Sequence, residues 1–195
     1  MSQRIREVYG KRLLKLVKET IAQRLGLIDA VDQSGLDEPE LNRDLATFVT
    51  IKIGGKLRGC IGNLEATGPL LESLTRNARQ AAFHDHRFTP LTAQEFEKIH
   101  IDISILTPPV QLQFQDGDDL LRKLRPGIDG VILKKGNARA TFLPQVWKQL
   151  ESPRLFLEHL CLKAGLPGGG WRDRGLEIDL YQVQSFDEDD HGVAS

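Results

Sequence analysis

The chain has 195 residues and a mass of 21.9 kDa, and its 26 lysines and arginines nearly balance 27 aspartates and glutamates, for a formal net charge of −1. That balance excludes a globally basic nucleic-acid binder, although a local basic face remains open. With 40% hydrophobic and 27% charged residues, the composition is that of a folded globular protein of one large domain, or one domain with a small second lobe.

No apolar run approaches the roughly 20 residues that span a bilayer. The opening Met1-Ser2-Gln3-Arg4-Ile5-Arg6 lacks an apolar signal core, so the expectation is a cytoplasmic protein with no membrane partner. The two cysteines, Cys60 and Cys161, are far apart in sequence. In a reducing compartment they read as free thiols, and they cannot alone build a zinc site.

Ile5, Val8, Tyr9, Leu13, Leu16, Val17, Ile21 and Leu25 recur at helical spacing before Gly26, which predicts an amphipathic helix over 3–25. Its outer face carries Arg4, Arg6, Lys11, Arg12, Lys15, Lys18 and Arg24. In a slightly acidic chain this reads as a solvated face, with an RNA footprint as the competing reading. Residues 29–44 are polar and read as a loop.

Leu45–Ile53 alternates as a half-buried strand, and Gly54-Gly55 turns it into a second strand, Lys56–Gly62. A two-residue loop sets Val49 opposite Cys60. A three-residue loop sets Ile53 opposite Leu57, Ile51 opposite Gly59 and Val49 opposite Ile61, and is preferred because it matches apolar with apolar. It places Arg58 and Cys60 on the other face, beside Thr50 and Lys52.

Gly68 as N-cap and Pro69 at the first position predict a helix through Phe83 with a small-residue face. Thr92-Ala93-Gln94-Glu95 is a capping box. Ile99, Ile101, Ile103 and Ile105 then alternate with His100, Asp102 and Ser104, a strand with one isoleucine face and one polar face.

Thr107-Pro108-Pro109 marks a boundary. Beyond it come a short strand (Val110, Leu112, Phe114), a helix at 118–124, and a hairpin from Val131–Lys134 to Arg139–Leu143. A helix follows from Pro144 through Leu150, and a second one is capped by Ser152 and ended by Gly165. Gly168-Gly169-Gly170 reads as flexible, Leu176–Phe186 as a last strand, and the acidic residues from Asp187 on as a disordered tail. Strands that alternate in polarity without strict helix alternation predict an α+β fold with a mainly antiparallel sheet.

Leu57-Arg58-Gly59-Cys60-Ile61-Gly62 is the segment most suggestive of chemistry. A cysteine between glycines leaves room for a ligand, and a cation such as Arg58 on the same face lowers a thiol's pKa. The competing reading is a packed cysteine whose flanking glycines let a helix approach the sheet. A nucleophilic thiol wants a base, for which His84, His86 and His100 are candidates. Asp102 and Ser104 are placed to meet Arg58 across the sheet, as an acid/base pair or as a structural ion pair. His84 and His86 with Cys60 are too weak a pattern for a metal site. No Walker loop, G-x-G-x-x-G, G-x-S-x-G, H-E-x-x-H or C-x-x-C is present, and no cofactor is expected.

On that hexapeptide the chain resembles the AMMECR-one domain family. The likeness runs from about Phe48 to Phe186. It takes in Asp85, Arg87 and Phe88, then Leu106-Thr107-Pro108-Pro109, then Leu143-Pro144-Gln145-Val146. It also takes in Leu160-Cys161, Lys163-Ala164-Gly165-Leu166-Pro167 and Trp171. It departs at His86, where the family usually has proline. The resemblance implies a two-lobed α+β fold with a cleft between a larger and a smaller lobe. It implies no settled activity; a nucleic-acid or translation-related role has been suggested for the family. It also implies a companion role beside a Memo-like protein and a radical S-adenosylmethionine enzyme. The chain lacks a three-cysteine cluster motif and is not itself the radical enzyme.

The expected division is a larger lobe of 1–107 plus 174–186 and a smaller lobe of 108–173. Cys60, Arg58 and Asp102 are the catalytic candidates, and Gly59, Gly62, Ser104, His100 and Arg87 the ligand-binding ones. Two functions remain open: an enzyme or enzyme companion centred on Cys60, and a non-catalytic binding module for protein or nucleic acid.

Overall fold

In the computed structural model, which describes residues 4–191, the chain divides between Pro108 and Pro109. One unit holds the residues up to Pro108 together with those from Gln184 on, and the other holds Pro109–Val183. Helices flank mainly antiparallel strands in an α+β fold.

The first unit begins with helix α1, Gly10–Arg24. It starts later than the stripe of apolar residues suggests. The Ile5 N–H donates to the side-chain amide oxygen of Gln184 at 2.8 Å, and the Gln184 amide N–H donates back to Ile5 O at 2.6 Å. Those bonds take backbone groups that a helix would need, and Val8 ends up 69% exposed. Gly26, at φ +73°, supplies the left-handed exit, with Leu27 N–H closing on Ala22 O. Much of the basic face is engaged within the unit: Arg6 with Glu40, Arg12 with Gly35 O, Lys15 with Asp32 and Lys18 with Glu188.

Strands β1 (Ala46–Ile53), β2 (Lys56–Gly62) and β3 (Ile99–Leu106) form an antiparallel sheet with β1 in the middle. Their alternation sends Val49, Ile51, Ile101 and Ile103 to one face, where they are fully buried with Leu13 and Val17 of α1. Helix α2, Leu70–Phe83, adds Leu74 and Ala78 to the same core, and its small residues let it lie close to the strands. Thr47, buried on that face, is satisfied by Ser73 and Asn77 of α2. A short helix, α3 (Ala93–Phe96), carries the Thr92–Glu95 capping box.

In the second unit, β4 (Val110–Gln111), α4 (Gly117–Lys123), β5 (Asp129–Lys135), β6 (Ala138–Phe142) and α5 (Pro153–Lys163) surround Leu120, Val131, Leu133, Phe156 and Leu160. Trp147 stacks on Phe156 with ring centroids 3.7 Å apart. Cys161 is buried in this core, and burial raises its thiol pKa. Strand β7, Glu177–Asp187, contributes Glu177–Val183 here, because Leu180 and Asp179 pair with β4 and β5.

Three local expectations are corrected. Pro144–Lys148 is a 3-10 turn, not a helix reaching Leu150. Gly168–Arg172 is also a 3-10 turn with Gly170 buried, so the glycine triplet is ordered. The acidic tail is structured to His191, with Asp187 ending β7 and Glu188–His191 forming the single turn α6. Glu188 holds it in place by accepting Ile101 N–H at 3.0 Å and Lys18 Nζ at 3.1 Å. The remaining tail, 192–195, lies outside the described residues. No described helix is long and apolar enough to cross a membrane.

Candidate functional site on the outer face of the first sheet

Gly54 and Gly55, at φ +55° and +75°, close the β1–β2 hairpin as a two-residue loop. Lys52 therefore faces Leu57 and Ile53 faces Lys56. One residue further the register shifts, and Ile51 faces Gly59, Thr50 faces Cys60 and Val49 faces Ile61. Arg58 is the extra residue of a β-bulge. The three-residue loop preferred from the sequence is corrected to two residues, while the apolar pairing for which it was preferred survives from Ile51 on, because Arg58 leaves the ladder between them.

Arg58 does not meet Asp102 or Ser104, and this corrects the sequence expectation. Its guanidinium makes a two-pronged bond with Glu95 at 2.9 and 3.0 Å, donates to Thr89 O at 2.9 Å and lies over the Phe88 ring. The bonds from Arg58, with those from Thr92, pull the Glu95 carboxyl down to about 2.

The groups that hold Cys60 are Asp85 and Arg87, on the turn after α2. Cys60 N–H donates to Asp85 Oδ2 at 2.9 Å, and Arg87 donates to Cys60 O at 3.2 Å. Arg87 is itself clamped on Asp85, at 2.9 and 2.6 Å. This pair replaces the neighbouring strand that the outer edge of β2 lacks, and it occupies the N–H that would otherwise be offered to an anion. The Arg87 guanidinium holds the buried Asp85 carboxyl well below the usual carboxylate range. Arg87, not Arg58, is the guanidinium that reaches the Cys60 backbone.

Phe88 N–H bonds Asp85 O at 2.9 Å, so residues 85–88 form a turn with His86 at its second position. Proline is favoured there because its ring presets φ. His86→Pro, which restores the residue usual in the family, is expected to stabilise the protein by about 0.5 kcal/mol, read from its urea midpoint. His84 and His86 are exposed, and neither bonds the thiol.

The two glycines beside Cys60 have packing reasons. A Cβ on Gly59 would sit 2.2 Å from the carbonyl oxygen of Ala81 in α2, and one on Gly62 would sit 2.3 Å from Thr47 O and the Phe48 ring. Both let other atoms approach the backbone closely.

Cys60 itself is half-buried, and its Sγ lies 3.2 Å from Thr50 Oγ1. Thr50 faces Asp102 on β3, Lys52 faces His100 and Phe48 faces Ser104, so Cys60, Thr50 and Asp102 form one row across three strands. Lys52 pairs with Asp102. His100 Nε2 lies 2.9 Å from Asp187 Oδ1 and 3.7 Å from Asp102 Oδ1. Ser104 is nearly buried. His100, Asp187 and Asp189 also offer ligand atoms within 4.8 Å of one another, a closeness to which the His100–Asp187 hydrogen bond contributes.

Burial raises the Asp102 pKa, and the neighbouring Asp187 carboxylate raises it further; Lys52 opposes both. Asp187 moves the other way, its charge favoured by Asp102 and His100. Asp102 Oδ1 is buried and finds no donor among the described residues. A proton on Asp102 relieves that orphaned, buried charge. A raised carboxyl pKa adds stability below the ordinary carboxylate range and loses it as pH rises through the raised value. Asp102→Asn donates without titrating. It is expected to be more stable than the wild type at pH 7.5, by about 1 kcal/mol, and to lose that advantage by pH 4 in urea titrations.

The AMMECR1 family model matches residues 14–186 of the chain. A protein from Methanothermobacter thermautotrophicus is 38% identical over 186 residues, covering 92% of this chain and 94% of that one. A protein from Methanocaldococcus jannaschii is 41% identical over 138 residues, covering 68% and 67%. Among solved structures, the uncharacterized protein PH0010 from Pyrococcus horikoshii superposes with a TM-score of 0.79 at 29% identity, covering 93% of this chain and 92% of that one. With the family model covering residues 14–186 and relatives of this identity and coverage, this chain belongs to the AMMECR1 family.

Proposed function

We propose that the chain works as an enzyme, or an enzyme's companion, on a small polar substrate laid across the outer face of the β1–β3 sheet. The row Cys60, Thr50, Asp102 carries this reading. Neighbouring strands lie about 4.8 Å apart, so thiol and carboxyl stand about 10 Å from one another across the face. At one end the half-buried thiol is the nucleophile, with Arg87 bonded to the carbonyl oxygen of the same residue. At the other, Asp102, whose carboxyl burial pushes up to about 6, takes up a proton and passes it to an acceptor on the substrate. Thr50 offers a hydroxyl between them. Free thiols at Cys60 and Cys161 support a reducing, cytoplasmic setting. The partners implied by the family resemblance, a Memo-like protein and a radical S-adenosylmethionine enzyme, fit a companion role, which analytical ultracentrifugation of mixtures with each would test.

Alkylation of the native protein with iodoacetamide across pH 5–10 tests the thiol. Cys60 is expected to react while Cys161 is protected, and to react more slowly in Arg87→Ala. A Cys60 as protected as Cys161, or a rate indifferent to Arg87, would sink the catalytic reading. The second reading, a non-catalytic binding module, is favoured by one observation: the thiol's hydrogen-bond partner is a threonine and not a base. That reading expects Cys60→Ser to keep partner binding in full.

A further inference from the structure

The second unit contains a cavity of about 510 Å³ between residues 111–117 and 171–177. Its origin lies in the pairing. β4 meets β7 at Val110–Leu180 and Gln111–Asp179, and Leu112 N–H adds a bond to Ile178 O at 2.8 Å. The two chains then part. Gln113 O is taken by Lys123 Nζ, and Gln115 N–H by Asp119, so this arm is held away from β7 by α4. Gly117 rests against Trp171 so closely that a Cβ there would lie 2.8 Å from the indole. The opening is thus braced on both sides.

The charges around it are lopsided once pairs are removed. Asp173 is matched by Lys135 at 2.6 Å, and Asp116 caps α4 by accepting Asp119 N–H at 2.8 Å. Arg172 and Arg174 have no carboxylate partner among the described residues, against which only Glu177 is similarly free. The Arg172 guanidinium lies over Trp171, 3.9 Å from the ring centroid, which limits the freedom it would lose on binding. Trp171 is 1% exposed, and its Nε1–H finds no acceptor among the described residues. Two guanidinium groups and the Trp171 N–H of the lining thus lack acceptors among the described residues.

We propose that this cavity is a binding site for a small phosphate-bearing ligand, with Arg172 and Arg174 on the phosphate oxygens. Guanidinium groups match phosphate in two-pronged geometry, and the volume is that of a small-molecule site. The site is independent of the Cys60 face.

Calorimetric titration with pyrophosphate at 150 mM NaCl tests the assignment. The wild type is expected to bind, and the double variant Arg172→Ala/Arg174→Ala to bind at least tenfold more weakly with an unchanged melting temperature. Arg154→Ala, which removes an exposed arginine of α5, is expected to bind as the wild type does. Equal weakening by Arg154→Ala would reduce the effect to general charge and overturn the proposal. So would no binding by the wild type, unaltered binding by the double variant, or binding of citrate in preference to pyrophosphate.

Discussion

Replacing Gly59 by alanine is expected to lower the unfolding free energy by about 3 kcal/mol, the upper end of the usual cost of overpacking. The added methyl would stand 2.2 Å from Ala81 O. That atom is backbone of α2, fixed by the helix and by the core residues Leu74 and Ala78, so it cannot swing aside as a side chain would. The strand must retreat instead, and it is pinned on its other side by the Asp85–Arg87 clamp. Gly169→Ala is the control: its Cβ would meet nothing within 4 Å. Urea titrations of the two variants should differ by the full 3 kcal/mol or so. A Gly59→Ala midpoint equal to that of Gly169→Ala would mean that α2 yields easily, and the packing account of the hexapeptide would fail.

Much of this architecture was legible in the residues, and the parts that were not share a cause. The isoleucine alternation at 99–105 and the Thr92–Glu95 box are local patterns, and local patterns suffice for a strand and a cap. The bulge was hidden because two local preferences conflict: Gly54-Gly55 favours a two-residue loop, whereas Val49, Ile51 and Ile61 favour the register of a longer one. Ejecting Arg58 resolves the conflict, and nothing within the hexapeptide says which residue leaves. The start of α1 was misread because Gln184, at the far end of the chain, decides it. The ordered tail has the same origin, since Glu188 finds Lys18 and Ile101 across a long sequence gap. Asp85 escaped notice as a site residue because an aspartate in a turn is ordinary. A faint signal was present: a carboxylate two residues before an arginine, just past a helix end, can fold back on it as an Asx turn.

Asp85 is the residue whose removal should most change how the edge of β2 behaves. Its carboxylate accepts from Cys60 N–H and from the Arg87 backbone and guanidinium, all within a shell that leaves Asp85 3% exposed. Asp85→Ala strands a buried N–H and releases Arg87 from Cys60 O, for an expected loss of about 3 kcal/mol at pH 7. Asp85→Asn keeps an acceptor but not the charge, and should lose about half as much. The loss has a pH signature. A carboxyl held below its ordinary range contributes stability that is complete above that range and disappears as pH falls toward the depressed value. Asp85 and Glu95 are both held down in this way, by Arg87 and Arg58. The wild type should therefore weaken steeply as pH drops from about 4.5 toward 2, and Asp85→Ala should weaken less because it has already lost one of the two contributions. Urea titrations at pH 7, 4.5, 3 and 2.5 would show the two curves converging. A gap of constant size down to pH 2.5 would mean that the Asp85 charge does not hold this edge. The alkylation rate of Cys60 provides the link to chemistry: with Arg87 released from Cys60 O, it should change in Asp85→Ala even where the fold survives.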